Sequence, residues 1–230
     1  MNEILQIPLF PIVLTLLCYQ IGLKIQQKLK SPLANPILIA VVLVLLVLSL
    51  TGLEAEAYRN GNACLSWLMT PATICLAIPM YEQFRVLRKS WKALAAGIGA
   101  GTVASLAMVG LYCLALGYDR TLTVSLLPKS VTSAIGVPLG ELSGGIASVT
   151  TAVIIFTGIL ANSLAPLLIR LFRLRDEIAV GVALGTSGHV IGTARANELS
   201  RLTGAASSLS LVIAGLLTAV LLPIVAGFLA

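Results

Sequence analysis

The sequence predicts an all-α polytopic membrane protein with about seven crossings, one re-entrant hairpin, and two inverted repeats that each contain a broken helix. Three observations lead there. Of the 230 residues, 58% are apolar and only 10% are charged, against about 25% charged in soluble domains. Mean hydropathy is +1.01. The charges fall in short clusters between long uncharged runs. So apolar a chain lacks the polar surface to coat a globule, which argues against a soluble enzyme, a nucleic-acid binder, a disulfide-rich module or a disordered segment.

Each crossing needs about 20 residues. Uncharged runs predict spans over about 4–29, 36–53, 62–86 and 93–117, then 146–170, a span starting near Ile178, and 206–229. The first carries Pro8 and Pro11 near its start, and the third contains Pro71 and Pro79. The span from Ile178 is interrupted by Gly185, Gly188 and Gly192. Residues 121–128 and 131–141 are apolar but short, and Pro128-Lys129-Ser130 separates them. Strands are not indicated, because the runs are long and do not alternate. Cys18, Cys64, Cys75 and Cys113 form no CxxC pair and read as small packing residues. Lys24 is the first cation, so a cleaved signal peptide is not expected.

The net charge of +6 reports topology rather than a nucleic-acid partner. Lys24, Lys28 and Lys30 follow the first span, Arg85, Arg88, Lys89 and Lys92 the third, and Arg170, Arg173 and Arg175 the span over 146–170. The loop before the third span carries Glu54 and Glu56 with only Arg59. Placing cationic loops inside puts the N-terminus outside and the C-terminus in the cytoplasm. The stretch over 121–141 must then begin and end outside. Neither half crosses about 30 Å at 1.5 Å per residue. The expectation is a re-entrant hairpin with its tip near Pro128–Ser130, where protein or a water-filled cavity satisfies the irregular backbone.

An offset of 116 residues aligns Thr70-Pro71-Ala72-Thr73 with Thr186-Ser187-Gly188-His189, and Glu82 with Glu198. Under the expected topology the two stretches run in opposite directions. The first repeat covers 1–117 and the second 118–230, within one integral membrane unit. Broken helices at matching places in inverted halves point to a transport site at the bilayer midplane.

Thr70 can cap a helix that Pro71 begins, and Thr186 with Ser187 can do the same. Two such ends, with Ala72, Thr73, Gly188 and His189 nearby, would offer unpaired N–H groups and partial positive charge to a carboxylate or phosphate. Two packing kinks would give the same pattern. Lys129, flanked by Ser130 and Thr132, is an intramembrane cation and thus a site candidate, or else it snorkels to a surface. His189, the only histidine, either gates a proton or packs the broken helix as a hydrogen-bonded group. Arg195, just past Gly192 and Thr193, either reaches the anion or pairs with Glu198 one turn on. No catalytic constellation, metal cluster or cofactor motif is present in the pattern, so neither an enzyme nor a metal site is expected. Gly97, Gly101 and Ser105 recur every four residues and mark a packing face, within the protein or between protomers.

At these residues the sequence resembles the LrgB/CidB family of bacterial membrane proteins. Leu126-Leu127-Pro128-Lys129-Ser130-Val131-Thr132 and the run from Leu184 through Gly185-Thr186-Ser187-Gly188-His189 to Ala196 carry the likeness, with Thr70 to Tyr81 in support. The resemblance implies two competing functions. One is antiholin-like control of murein hydrolases and autolysis alongside a small holin-like LrgA/CidA partner. The other is small-carboxylate transport, as in the related plastid glycolate/glycerate translocators and in pyruvate-uptake systems. More widely it is similar to transporters with inverted repeats and crossing broken helices. The fused LrgA-like half of the plastid proteins is not in this chain, so a separate partner is expected if that half is essential.

The expected function is therefore a carrier of 2-hydroxy or 2-oxo monocarboxylates in the bacterial inner membrane, working by alternating access as a homodimer. Thr70–Thr73 and Thr186–His189 would bind the carboxylate. Lys129 or Arg195 would balance its charge, and Ser130, Thr132 and Thr193 would bond its hydroxyl or oxo group. His189 is the candidate for proton coupling.

Overall fold

The computed structural model describes residues 9–29, 35–75 and 77–228, and among these it is helical with no strand. Contacts divide the chain into two compact units, Met1–Cys75 and Leu76–Ala230.

The first unit holds α1 (Phe10–Leu29), α2 (Pro36–Thr51), α3 (Ala55–Gly61) and α4 (Ala63–Cys75). Asn35 starts α2 by accepting from the Ile37 N–H at 2.8 Å, with Pro36 as first helical residue. Gly52, at φ 68°, ends it with an N–H to the Leu48 carbonyl. Thr15 on α1 shares a 2.6 Å hydrogen bond with the Tyr58 hydroxyl on α3. Pro71 lies inside α4, so the helix start expected at Thr70-Pro71 is not found there. A proline removes one backbone bond, and the turns around this one carry the helix past it. The rest of the expected span over 62–86 is divided into α5 (Ala77–Glu82) and α6 (Phe84–Lys89), which open the second unit.

Three helices in the second unit are long and apolar enough to cross a membrane: α7 (Trp91–Ala115), α10 (Ala147–Leu171) and α12 (Arg201–Phe228). Each lies close to its expected span. Between α7 and α10 come α8 (Arg120–Leu126), a 3-10 turn over Leu127–Ser130, and α9 (Ser133–Leu142). Asp119 caps α8 by accepting from the Leu122 N–H. The chain doubles back here. The Ile146 N–H donates to Ser125 Oγ at 2.7 Å, and Thr150 Oγ1 donates to the Ser125 carbonyl at 3.0 Å. Gly144 returns beside the Arg120 guanidinium. Residues 120–145 therefore form a hairpin with its tip at the 3-10 turn, and Leu127 in that tip packs on Leu106, Val109 and Cys113 of α7.

A second hairpin replaces the crossing expected from Ile178. Backbone helicity over α11 (Glu177–Leu199) is broken at His189, at φ 42° and ψ −133°, a region that residues with a side chain rarely enter. Beyond it the chain reverses. A Cβ placed on Gly192 would stand 2.4 Å from the Leu184 carbonyl oxygen, whereas a straight helix separates residues eight apart by about 12 Å. Val180, Leu184 and Ala196 share one buried cluster.

The second half of α11 runs antiparallel to α12, since Asn197 meets Gly204 and Thr193 meets Ser207. The first half runs parallel to α12, with Gly181 against the Thr203 carbonyl and Gly185 against the Ser207 carbonyl. It also runs parallel to α7, where Gly97 faces Val182 and Gly101 faces Thr186.

Two corrections follow. Since α7 and α12 run in the same direction, the opposition expected between the spans over 93–117 and 206–229 does not hold. And because α11 turns back, the Phe228 end of α12 lies at the far end of this unit from Arg170–Asp176. Instead, the two hairpins enter from opposite ends, residues 120–145 after α7 and residues 177–199 after α10.

Gly192→Ala is expected to destabilise the protein by about 1–3 kcal/mol, because the added methyl meets backbone that cannot move aside. Gly99→Ala, which would meet nothing within 4 Å, should stay within about 0.5 kcal/mol of wild type. Thermal melts in detergent compare the two.

Candidate functional site

The two hairpin tips meet beside the middles of α7 and α12. Thr102, Ser105 and Leu106 of α7, Leu127, Ser130 and Val131 of the first tip, Thr186 of the second, and Ala214 and Thr218 of α12 enclose a small pocket of about 10 Å³. Next to it opens a cleft of about 640 Å³ between α7 and the first half of α11, within the range of about 300–1,000 Å³ usual for small-molecule sites. The walls are small residues, among them Gly97, Gly101 and Ala104 on α7 and Ala179 and Ala183 on α11. The small-residue stripe of α7 thus faces α11 within the protein. The cleft runs from Ala93 and Asp176 at one end to Lys129, Ser130, Thr186 and Ser187 at the other.

Among the described residues, Lys129 is the only cation lining this cleft. Its Nζ lies 3.0 Å from Ser130 Oγ and 3.4 Å from Ser105 Oγ, and the two hydroxyls are 3.0 Å apart. The side chain is half-buried and has no carboxylate partner among the described residues. The tip geometry explains its placement. Pro128 leaves helical geometry at ψ 19°, and Val131 is extended, so the backbone at Lys129 turns side-on to α7. Thr132, not Ser130, takes the N-cap position of α9, and Ser130 is turned toward Ser105 instead.

The other expected site residues separate. Thr186 and Ser187 line the cleft, but not as caps of a new helix. Their hydroxyls donate to the Val182 and Ala183 carbonyls at 2.8 and 2.6 Å, so they end the first half of α11. That end of a helix carries partial negative charge, opposite in sign to the expected N-terminus. The second half begins only after His189.

His189 is buried away from the cleft. Its Nε2–H donates to the Ile154 carbonyl at 2.9 Å. Its ring fills a slot over Gly158, where a Cβ would come within 2.6 Å of it. Gly188 packs on Ala161. Thr193 is fully buried, donating to the His189 carbonyl or sharing its proton with Ser207, both at 2.8 Å. Gly192 serves the chain reversal. Arg195 pairs with Glu198, the second of its two sequence readings, and its Nε is buried without a hydrogen-bond partner. Pro71 and Ala72 are exposed on α4, while the side chains of Thr70 and Thr73 lie outside the described residues.

Sequence reasoning assigned Ser105 to packing and gave no role to Thr102, Asp176 or Thr218. The available signal for Ser105 was a hydroxyl at the third position of a glycine stripe within an apolar run. Together these groups offer a lysine amine with two hydroxyls at one end of an apolar cleft, which suits a small anion bearing a second polar group.

Gly158→Ala drives a methyl into the imidazole slot. It should cost about 1–3 kcal/mol, read as a lower melting temperature.

Comparison with known proteins supplies the family. The LrgB-like family model matches residues 15–228. Antiholin-like protein LrgB of Bacillus mycoides (strain KBAB4) is 34% identical over 217 residues, covering 94% of each chain. The proteins of the same name from Bacillus cereus (strain B4264) and Bacillus anthracis (strain CDC 684 / NRRL 3495) are similar to the same extent. No solved structure matches the chain. With the family model and these relatives spanning nearly its full length, and with three helices fit to cross a bilayer, this chain is a membrane protein belonging to the LrgB-like family.

Proposed function

We propose that the chain carries small monocarboxylates of the 2-hydroxy or 2-oxo acid type, such as glycolate, glycerate, pyruvate or lactate, across the bacterial plasma membrane, and that it catalyses no reaction. One observation carries this reading: Lys129 stands at one end of a cleft with two hydroxyls beside it and no carboxylate partner among the described residues. A half-buried amine without an acid finds its partner, on taking up a proton, in an incoming carboxylate. Ser105 and Ser130 lie where the second polar group of a hydroxy or oxo acid would need hydrogen bonds. Thr186 and Ser187 flank the same place.

The cationic residues Arg85, Arg88, Lys89, Lys92, Arg170, Arg173 and Arg175 cluster before α7 and after α10. Taken as cytoplasmic, they make the cleft open inward and bring the C-terminus outside, the reverse of the sequence expectation.

A second reading has its own support. The relatives are named antiholin-like proteins, and the names say nothing of carboxylates. In that reading the chain regulates murein hydrolase export or autolysis with a holin-like partner, and the two would assemble through lipid-facing surfaces. A homodimer would suit either role.

Purified protein in liposomes separates the two. Carriage gives saturable counterflow of labelled glycolate or pyruvate. Lys129→Ala should lower it by about tenfold or more, the loss expected for one charge-assisted contact. Arg195→Ala should leave it close to wild type. Size-unselective leakage would speak for the second reading. In intact cells, a cysteine at Arg173 should resist an impermeant thiol reagent while one appended after Ala230 reacts; the opposite pattern would overturn the topology.

A further inference from the structure

We propose that Lys129 is the proton-binding group of the carrier, so that each monocarboxylate crosses together with one proton. This rests on the carriage reading above and extends it to the coupling ion. His189 was the expected coupling group, but it is committed elsewhere: its Nε2–H is spent on the Ile154 carbonyl and its ring is enclosed over Gly158. Among the described residues, Lys129 is the only ionisable group at its end of the cleft.

The groups around Lys129 define its options. Helix α7 presents Ser105. The first half of α11 presents Thr186 and Ser187, with its terminal carbonyls behind them, and Asp176 stands at the opposite end of the cleft. Helices α8, α9, α10 and α12 bring no ionisable side chain to the cleft among its described lining. Hydroxyls and a helix terminus worth about half a charge do not neutralise an ammonium at membrane depth.

The empty site is therefore the neutral amine, hydrogen-bonded to Ser130 and Ser105. Binding adds a proton to the Nζ lone pair and sets the carboxylate against the resulting ammonium. The loaded site has gained one positive and one negative charge, so its net charge is unchanged. Release on the far side returns both the carboxylate and the proton. No other reactant is needed, and the cycle moves no net charge.

The test uses liposomes holding the full-length protein and an entrapped pH dye, with the membrane potential clamped by potassium and valinomycin. The probe is labelled glycolate, and protein-free liposomes supply the background from undissociated acid. Wild type should acidify the lumen in step with glycolate entry, about one proton per anion, at a rate indifferent to the imposed potential.

Lys129→Arg keeps a charge that does not titrate. Net proton-linked glycolate uptake should therefore fall by about tenfold or more. His189→Gln, which keeps an N–H donor, should retain proton uptake. Three results would overturn the assignment: counterflow by wild type without proton movement, uptake that follows the potential, or a selective loss of proton uptake in His189→Gln. The first leaves carriage intact and removes only the coupling. Absence of counterflow with glycolate, pyruvate and lactate alike removes carriage and coupling together. The stoichiometry and potential measurements need wild-type protein alone, so they decide the matter even if a variant does not fold.

Discussion

One hydrogen bond holds the turn on which the second unit depends. The backbone at His189 sits in a conformation that costs on the order of 1–3 kcal/mol for a residue with a side chain. The imidazole bond to the Ile154 carbonyl, the slot over Gly158 and the Thr193 hydroxyl on the His189 carbonyl stand against that cost. With the turn in place, α11 folds back, Gly192 reaches the Leu184 carbonyl, and Thr193 reaches Ser207. Without it, residues 177–199 would form one helix about 35 Å long, and neither Thr186 nor Ser187 would end at the tip of the first hairpin.

The same arrangement divides labour between two polar clusters. Buried hydroxyls at Thr193, Ser207, Ser210 and Thr203 lie along the α11–α12 contact, and their bonds run to backbone carbonyls, to one another or to Ser200. They satisfy themselves and fix the helices. Lys129, Ser105 and Ser130 do the reverse. Their bonds stay among themselves at the cleft, and the charge is left without an acid. A polar group in an apolar interior is either satisfied or available; the Thr193–Ser207 pair is the first kind and Lys129 the second.

Much of this was legible from residues alone. Long uncharged runs gave α7, α10 and α12 within a few residues, because a helix that faces lipid needs length and apolarity and little else. The hairpin over 120–145 was legible from length as well, since neither half could reach across. The reversal at His189 was not. Gly185, Gly188 and Gly192 signal close approach, but a glycine does not say to what. Gly185 meets the backbone of α12 and Gly192 meets its own helix, and only the tertiary arrangement tells them apart. Thr186 and Ser187 misled for a related reason. A hydroxyl that can cap a helix can equally bond back to the carbonyl four residues earlier, and the two uses reverse the sign of the local dipole. Likewise Pro71 reads as a helix start or as an interior residue, and α4 takes the second option.

The first hairpin is joined to the rest of the unit through two left-handed glycines, Gly117 at φ 69° and Gly144 at φ 93°. These stand at the two ends of its base, and a Cβ on Gly117 would touch nothing. Its attachment to α10 is broad: Ser125 accepts at Oγ from the Ile146 N–H and at its carbonyl from Thr150, and Gly136 and Gly140 of α9 stand close against Ile154 and Thr150. With its tip buried against α7 and its second arm packed on α10, the hairpin stands as a fixed wedge. The two glycine joints thus set the angle at which that wedge enters the unit.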